Sequence, residues 1–136
     1  MDKLSWSDTL AIGIDEIDRH HQELIGIRNK LVDCCKLDDA PHTEAFHNIL
    51  GDLFEYARTH FHVEEALMQS LEYPDLDAHK NEHHEFIERI VDISIGVAKD
   101  PRIHDKALDV LTEWLVTHLF QTDLRIRDHI ECRQSC

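Results

Sequence analysis

The stretch "LGDLFEYARTHFHVEEALMQSL", residues 50–71, decides the fold. Leu50, Leu53, Ala57, His60, Glu64, Leu67 and Leu71 follow one another in alternating steps of three and four residues. That spacing puts side chains on one face of an α-helix. Five of the seven positions are leucine or alanine, and the other two are a histidine and a glutamate. Within "HFHVEE" (60–65) a helix offers two pairs, His60 with Glu64 and His62 with Glu65. Only the first lies in the seam. His62 sits about 200° around the helix from His60, so the second pair is read as exposed and of little energetic weight.

The same steps recur along the chain. A second seam runs Leu76, His79, His83, Phe86, Ile90, Ile93, Val97, and a third begins Leu108, Leu111, Leu115, His118. The first is less regular: Ile14, Ile17, His21 and Leu24 precede Arg28, which breaks the stripe before Leu31. Pro41 and Pro101 suit first helical turns, and Tyr73-Pro74 separates the second helix from the third. Helices are therefore expected over residues 15–37, 42–71, 75–98 and 102–130. Long helices with short connections predict an all-α, antiparallel up-down-up-down four-helix bundle. It is expected to form one domain over residues 1–136, with an irregular N-terminal arm (1–13) that packs Trp6 on the bundle and a tail at 131–136.

Composition narrows the function. With 136 residues and 42% of them apolar, the chain can build a real core. A net charge of −14 repels phosphate backbones and anionic lipid, which excludes nucleic acid and membrane surfaces as partners. No apolar window of about 18 residues occurs and "MDKLSWSDTL" lacks a signal-peptide layout, so a cytoplasmic location is expected.

The polar residues in the seams carry the chemistry. His21, His60, Glu64, His79, His83 and His118 occupy registers that should be apolar. An unpaired buried polar group costs about 1–3 kcal/mol, so six of them would rival the roughly 5–15 kcal/mol stability of a whole domain. A lone buried histidine is ordinarily just hydrogen-bonded. Five of them have too few acidic partners for that, whereas one cation satisfies several imidazoles at once.

Asp123, five residues after His118, supplies a second carboxylate. Five histidines and two carboxylates exceed one tetrahedral zinc site and suit two metals bridged by the carboxylates. An odd number of histidines splits three and two, leaving one metal with an open position where a small molecule can bind. Five residues also leave His118 and Asp123 about 140° apart on an ideal helix of 3.6 residues per turn. A π-type bulge between them would restore the phase, and one is predicted there.

"IDRHHQEL", "HFHVEEALM", "YPDLDAHKNEHHEF" and "WLVTHLFQTDLRI" together resemble the four signature segments of the hemerythrins in their single-domain bacterial form, from Trp6 to about Ile130. The resemblance implies two non-haem iron ions with an oxo or hydroxo bridge. His79, His83 and His118 would hold the coordinatively full iron, His21 and His60 the open one, with Glu64 and Asp123 bridging. In "RHH" it selects the second histidine, His21, in agreement with the seam from Ile17 to Leu24. His20 stands where relatives often have glutamine, and Ile126 where they often have tyrosine.

The activity implied is reversible O2 binding for transport, storage or sensing, with no enzymatic role and with an oxygen-using or signalling partner left unidentified. A di-iron oxidase or peroxidase and an iron or divalent-metal buffer are the alternatives. Ferritin-like di-iron sites use four carboxylates and two histidines. Five neutral ligands support high-valent iron less well. Leu24, Phe61, Trp114 and Leu115, each within a turn of a ligand, are the expected wall of a dry O2 pocket.

Of the remaining histidines, 42, 47, 62 and 104 are read as solvated and His84 as peripheral. Asp18 is either a partner for His21, one turn on, or an ordinary exposed acid. Cys132 and Cys136, with His129, are placed past the end of the last helix. Cys34 and Cys35 fall at the opposite end of the bundle, about 25–30 Å away at 1.5 Å per residue, too far for a Cys34–Cys132 disulfide.

Overall fold

In a computed structural model, residues 3–34, 44–99 and 104–135 are described. Helix α1 spans Asp15–Cys34, α2 Glu44–Ser70, α3 Leu76–Lys99 and α4 His104–Thr117; a π-helical turn over His118–Thr122 leads into α5, Leu124–Ser135. No strand occurs among the described residues. Consecutive helices pack on one another, so α4, the π turn and α5 together form the fourth member of an up-down-up-down bundle. Pro41, Pro101, Cys35, Cys136 and His42 lie outside the described residues, as do the side chains of Val97, His104 and Leu108.

Two apolar clusters sandwich the polar seam residues. One gathers Leu24, Phe46, Leu53, Ala57, Phe86 and Leu115 with their neighbours. The other consists of Ile12, Ile17, Met68, Tyr73 and Ile126. The seam histidines and carboxylates fall between them in every helix: His21 between Ile17 and Leu24, His79 and His83 between Tyr73 and Phe86. The bundle thus has a dry end, a polar layer and a second dry end.

The α2–α3 turn fixes the register of the two helices that carry four of the polar residues. Glu72 adopts a left-handed conformation (φ 52°). Its N–H donates to Gln69 O at 3.1 Å, and the Tyr73 N–H donates to Met68 O at 3.0 Å. This pair of bonds is a Schellman C-cap, and Tyr73 packs in the same apolar cluster as Met68.

The N-terminal arm is indeed largely irregular, with a single 3-10 turn at Asp8–Leu10 capped by Ser7. Asn29 clamps it, accepting from Leu4 N–H at 2.9 Å and donating to Leu4 O at 2.7 Å. Trp6 packs on the larger core. Asp18, open in the sequence between ligand partner and exposed acid, does a different job. Its two oxygens accept from Ile12 N–H at 2.8 Å and Gly13 N–H at 3.3 Å, tying the arm to the first turns of α1.

The last helix continues to Ser135, past the expected boundary at residue 130 and through the segment read as a tail. Ile126 and Ile130 of this helix pack in the second apolar cluster, and its last turns add a polar hold. His129 donates to Leu71 O at 3.0 Å, and Arg133, in the last turn, donates to the same carbonyl. A basic residue there also suits the negative end of the helix dipole.

Candidate metal centre

Five imidazoles and two carboxylates converge in the polar layer, each at most 3% exposed. They form two groups that share both carboxylates: His79, His83 and His118 with Glu64 and Asp123, and His21 and His60 with the same pair. All seven residues expected from the sequence are brought together, in the three-and-two division expected of them.

Each carboxylate divides its oxygens between the groups. Glu64 Oε1 lies 2.7 Å from His79 Nε2 and 3.1 Å from His83 Nε2, while Oε2 lies 3.0 Å from His60 Nε2 and 3.3 Å from His21 Nε2. Asp123 repeats the pattern. Oδ1 is 3.0 Å from both His79 and His118, and Oδ2 is 3.1 Å from His21.

The π turn makes the Asp123 contacts possible. The Asp123 N–H donates to His118 O at 2.8 Å, an i→i−5 bond in place of the usual i→i−4. By absorbing one residue, the wider turn brings Asp123 inward and returns Ile126 to the core at 0% exposure. The bulge predicted from the five-residue spacing is present.

Burial would drive every charge here toward its neutral form, yet the carboxylates win. Desolvation pulls the His21 and His79 imidazoles down, but Asp123 and Glu64 outweigh it and raise both to about 9. His118 is raised well above its usual value by the same pair, again against burial. For Glu64 and Asp123 burial acts upward, and the surrounding histidines overcome it to hold both well below the usual carboxylate range. His83 goes the other way: burial dominates and lowers it.

The donor set fits metal ions. His60 Nε2 and both Asp123 oxygens are buried with no neighbouring group aligned to hydrogen-bond to them, although charged partners stand about 3 Å off. Orphaned atoms of this kind cost about 1–3 kcal/mol each, and a shared cation is what relieves several at once. Five of the seven donors are imidazole nitrogens, which suits a first-row transition metal better than calcium or magnesium.

Three residues behind the cluster histidines escaped the sequence reading. Glu65 lies 3.2 Å from His83 Nδ1, Glu82 lies 3.3 Å from His118 Nδ1, and His20 Nδ1 lies 3.0 Å from His60 Nδ1. This corrects the reading of Glu65 as an exposed partner of His62. Its side chain is only 26% exposed and turns across the α2–α3 interface, away from the solvated His62. A partial signal was available: each of the three stands next to a cluster residue in the chain.

Among the expected wall residues, Phe61 stacks on His83 with centroids 3.8 Å apart, and Trp114 stacks on His118 at 4.6 Å. Both rings therefore lie against the three-histidine group, and Phe61 also approaches His60 at 5.8 Å. Leu24 and Leu115 are buried in the adjoining core. An open surface groove of about 660 Å³ between α2 and α3, lined by Arg58, His62, Glu65 and Lys80, reaches inward as far as Phe61 and His83. Cys34 is buried at the end of α1 and Cys132 is exposed on α5, both as free thiols. His84 is exposed and pairs with Glu88.

A four-helix bundle enclosing two adjoining, carboxylate-linked histidine groups is a metal-binding bundle. The chain belongs to the hemerythrin family: the model of the hemerythrin HHE cation binding domain matches residues 12–129. Named relatives agree. It is 32% identical to a bacteriohemerythrin of Clostridium acetobutylicum, over 93% of this chain and 98% of that one. It is 30% identical to a bacteriohemerythrin of Stenotrophomonas maltophilia, over 94% of this chain and 82% of the relative. A myohemerythrin of Theromyzon tessulatum is 29% identical over 90% of this chain and 89% of its own. The family implies a non-haem di-iron site.

Proposed function

We propose that the chain binds O2 reversibly at a di-iron centre held by the seven converging residues. His79, His83 and His118 would hold one ion and His21 and His60 the other, with Glu64 and Asp123 shared between them. The observation that carries this reading is the division of each carboxylate, one oxygen toward each histidine group. When bound, a pair of irons with an oxo or hydroxo bridge supplies reversible two-electron exchange with O2, the chemistry associated with hemerythrins.

The chain's own residues do the rest. The three-histidine group presents one more donor than the two-histidine group, so the open position falls on the side of His21 and His60. The two apolar clusters keep water from the layer between them, and Phe61, Trp114, Leu24 and Leu115 close its flank. The neutral imidazoles, outnumbering the carboxylates five to two, disfavour the high-valent states an oxygenase requires. This weighs against an oxidase or peroxidase, and the convergence of all seven donors on one paired site weighs against simple buffering. A cytoplasmic setting, with O2 as the small-molecule partner, completes the reading.

The test is direct. Load the protein with two equivalents of ferrous iron without oxygen, admit air, then remove it. Colour that appears and fades through repeated cycles supports the proposal. A ferric spectrum that persists after oxygen is removed, with stoichiometric peroxide released, would replace it with an oxidase, and an unchanged spectrum would replace it with a buffer.

A further inference from the structure

The five imidazoles are not supported alike. Behind His83 and His118 stand carboxylates, Glu65 at 3.2 Å and Glu82 at 3.3 Å from the Nδ1 atoms. Behind His60 stands another imidazole: His20 Nδ1 lies 3.0 Å from His60 Nδ1. Its place follows from the chain. His20 precedes His21 on α1, so its ring points about 100° away from the cluster and crosses to α2 instead. There it is held edge-on to Tyr56 at 5.8 Å and to His60 at 5.1 Å.

The proton positions on this pair follow by elimination. His60 directs Nε2 at the cluster, 3.0 Å from Glu64 Oε2. An imidazole that gives its Nε2 lone pair to a metal carries its proton on Nδ1. His60 Nδ1–H therefore donates, and His20 Nδ1 can only accept, which puts the His20 proton on Nε2.

We propose that His20 is a positioning residue for His60, fixing its tautomer and ring plane through a neutral acceptor where His83 and His118 use carboxylates. The inference rests on the two-metal reading above. It adds a difference between the two metal positions beyond ligand count. A carboxylate behind a ligating histidine draws on its N–H and makes the ring a stronger donor, whereas a neutral acceptor orients the ring with less of that effect. The two-histidine ion thus has one of its two imidazoles held without added electron donation. That side is the easier one to keep ferrous.

Four proteins test this: wild type, His20→Gln, His20→Glu and His20→Leu. Each is titrated with Co2+ to read the affinities of the first and second ions, and the iron-loaded forms are then compared by reduction potential. Wild type should take two ions. His20→Gln, which restores a neutral acceptor, should match it within about twofold. His20→Leu should weaken the second ion about 10–100-fold, the usual cost of removing such a partner, and leave the first unchanged. His20→Glu should bind two ions but show a lower potential than His20→Gln.

Equal second-ion affinity in wild type and His20→Leu would overturn the proposal. So would equal weakening of both ions. If His20→Leu does not fold, the two polar variants decide alone, and identical potentials in His20→Gln and His20→Glu overturn it. Fewer than two ions in wild type would bring down the two-metal reading itself, and this one with it.

Discussion

Removing the metal should leave a protein whose stability falls as the solution becomes alkaline. In the metal-free cluster His21 and His79 are raised from 6.5 to about 9 by Asp123 and Glu64 acting against burial. A raised histidine contributes its full stability below 6.5, where it is protonated in both folded and unfolded chains. The contribution declines above that and is gone once the pH passes about 9. A tenfold gain in proton affinity on folding is worth about 1.4 kcal/mol, so each histidine carries roughly 3 kcal/mol in the native state. The two share the same carboxylates and do not simply add. A loss on the order of 3 kcal/mol between about pH 6 and 9.5 is expected, a large part of a domain's roughly 5–15 kcal/mol. In the loaded protein the imidazoles hold metal in place of protons, so its stability should change far less over that range. Urea unfolding followed by circular dichroism, with chelator or with two equivalents of metal, measures both. A metal-free protein whose stability is flat or rises over this interval would refute the reasoning.

Three further outcomes follow from the geometry. Glu64→Gln keeps the shape but removes a charge and turns one bridging oxygen into an N–H donor. It should lower metal content from two ions to one, retained by the three-histidine group, as read by elemental analysis; two tightly held ions would show that Glu64 does not bridge. Glu72→Gly relieves a left-handed residue (φ 52°) at the cap of α2 and should stabilise the protein by about 0.5–1 kcal/mol in urea unfolding. A destabilised variant would place the cost of this turn elsewhere. Phe61→Leu removes the ring between the surface groove and His83 and should speed the oxidation of the O2-bound iron to its ferric form, followed by absorbance; an unchanged rate would remove Phe61 from the wall.

The site was readable in the sequence wherever a cluster residue violated a helical pattern. His60 and Glu64 interrupt a run of leucines, so periodicity alone exposes them, and a gap of five between His118 and Asp123 fits no α-helical face. Glu65, Glu82 and His20 violate nothing. They occupy positions where a polar residue is ordinary, and their contacts cross between helices at separations of 18, 36 and 40 residues that carry no period. The two long-range clamps on Leu71 O, from His129 and Arg133, are hidden for the same reason. For Asp18 the pattern left the choice open because the backbone it bonds lies in an arm with no regular repeat.

The π turn at His118–Thr122 also acts as a gearing for everything after it. The wider turn absorbs the 100° that one extra residue adds in a regular α-helix, and Ile126, His129 and Arg133 meet their partners only in the phase so restored. Winding the same residues into an unbroken α-helix through 118–123 would give a smoother helix and a worse protein. Asp123 would swing off the cluster, Ile126 would leave its core, and the two side chains that seize Leu71 O would point elsewhere. A change confined to one turn of backbone would therefore disengage the polar layer and the far end of the bundle together.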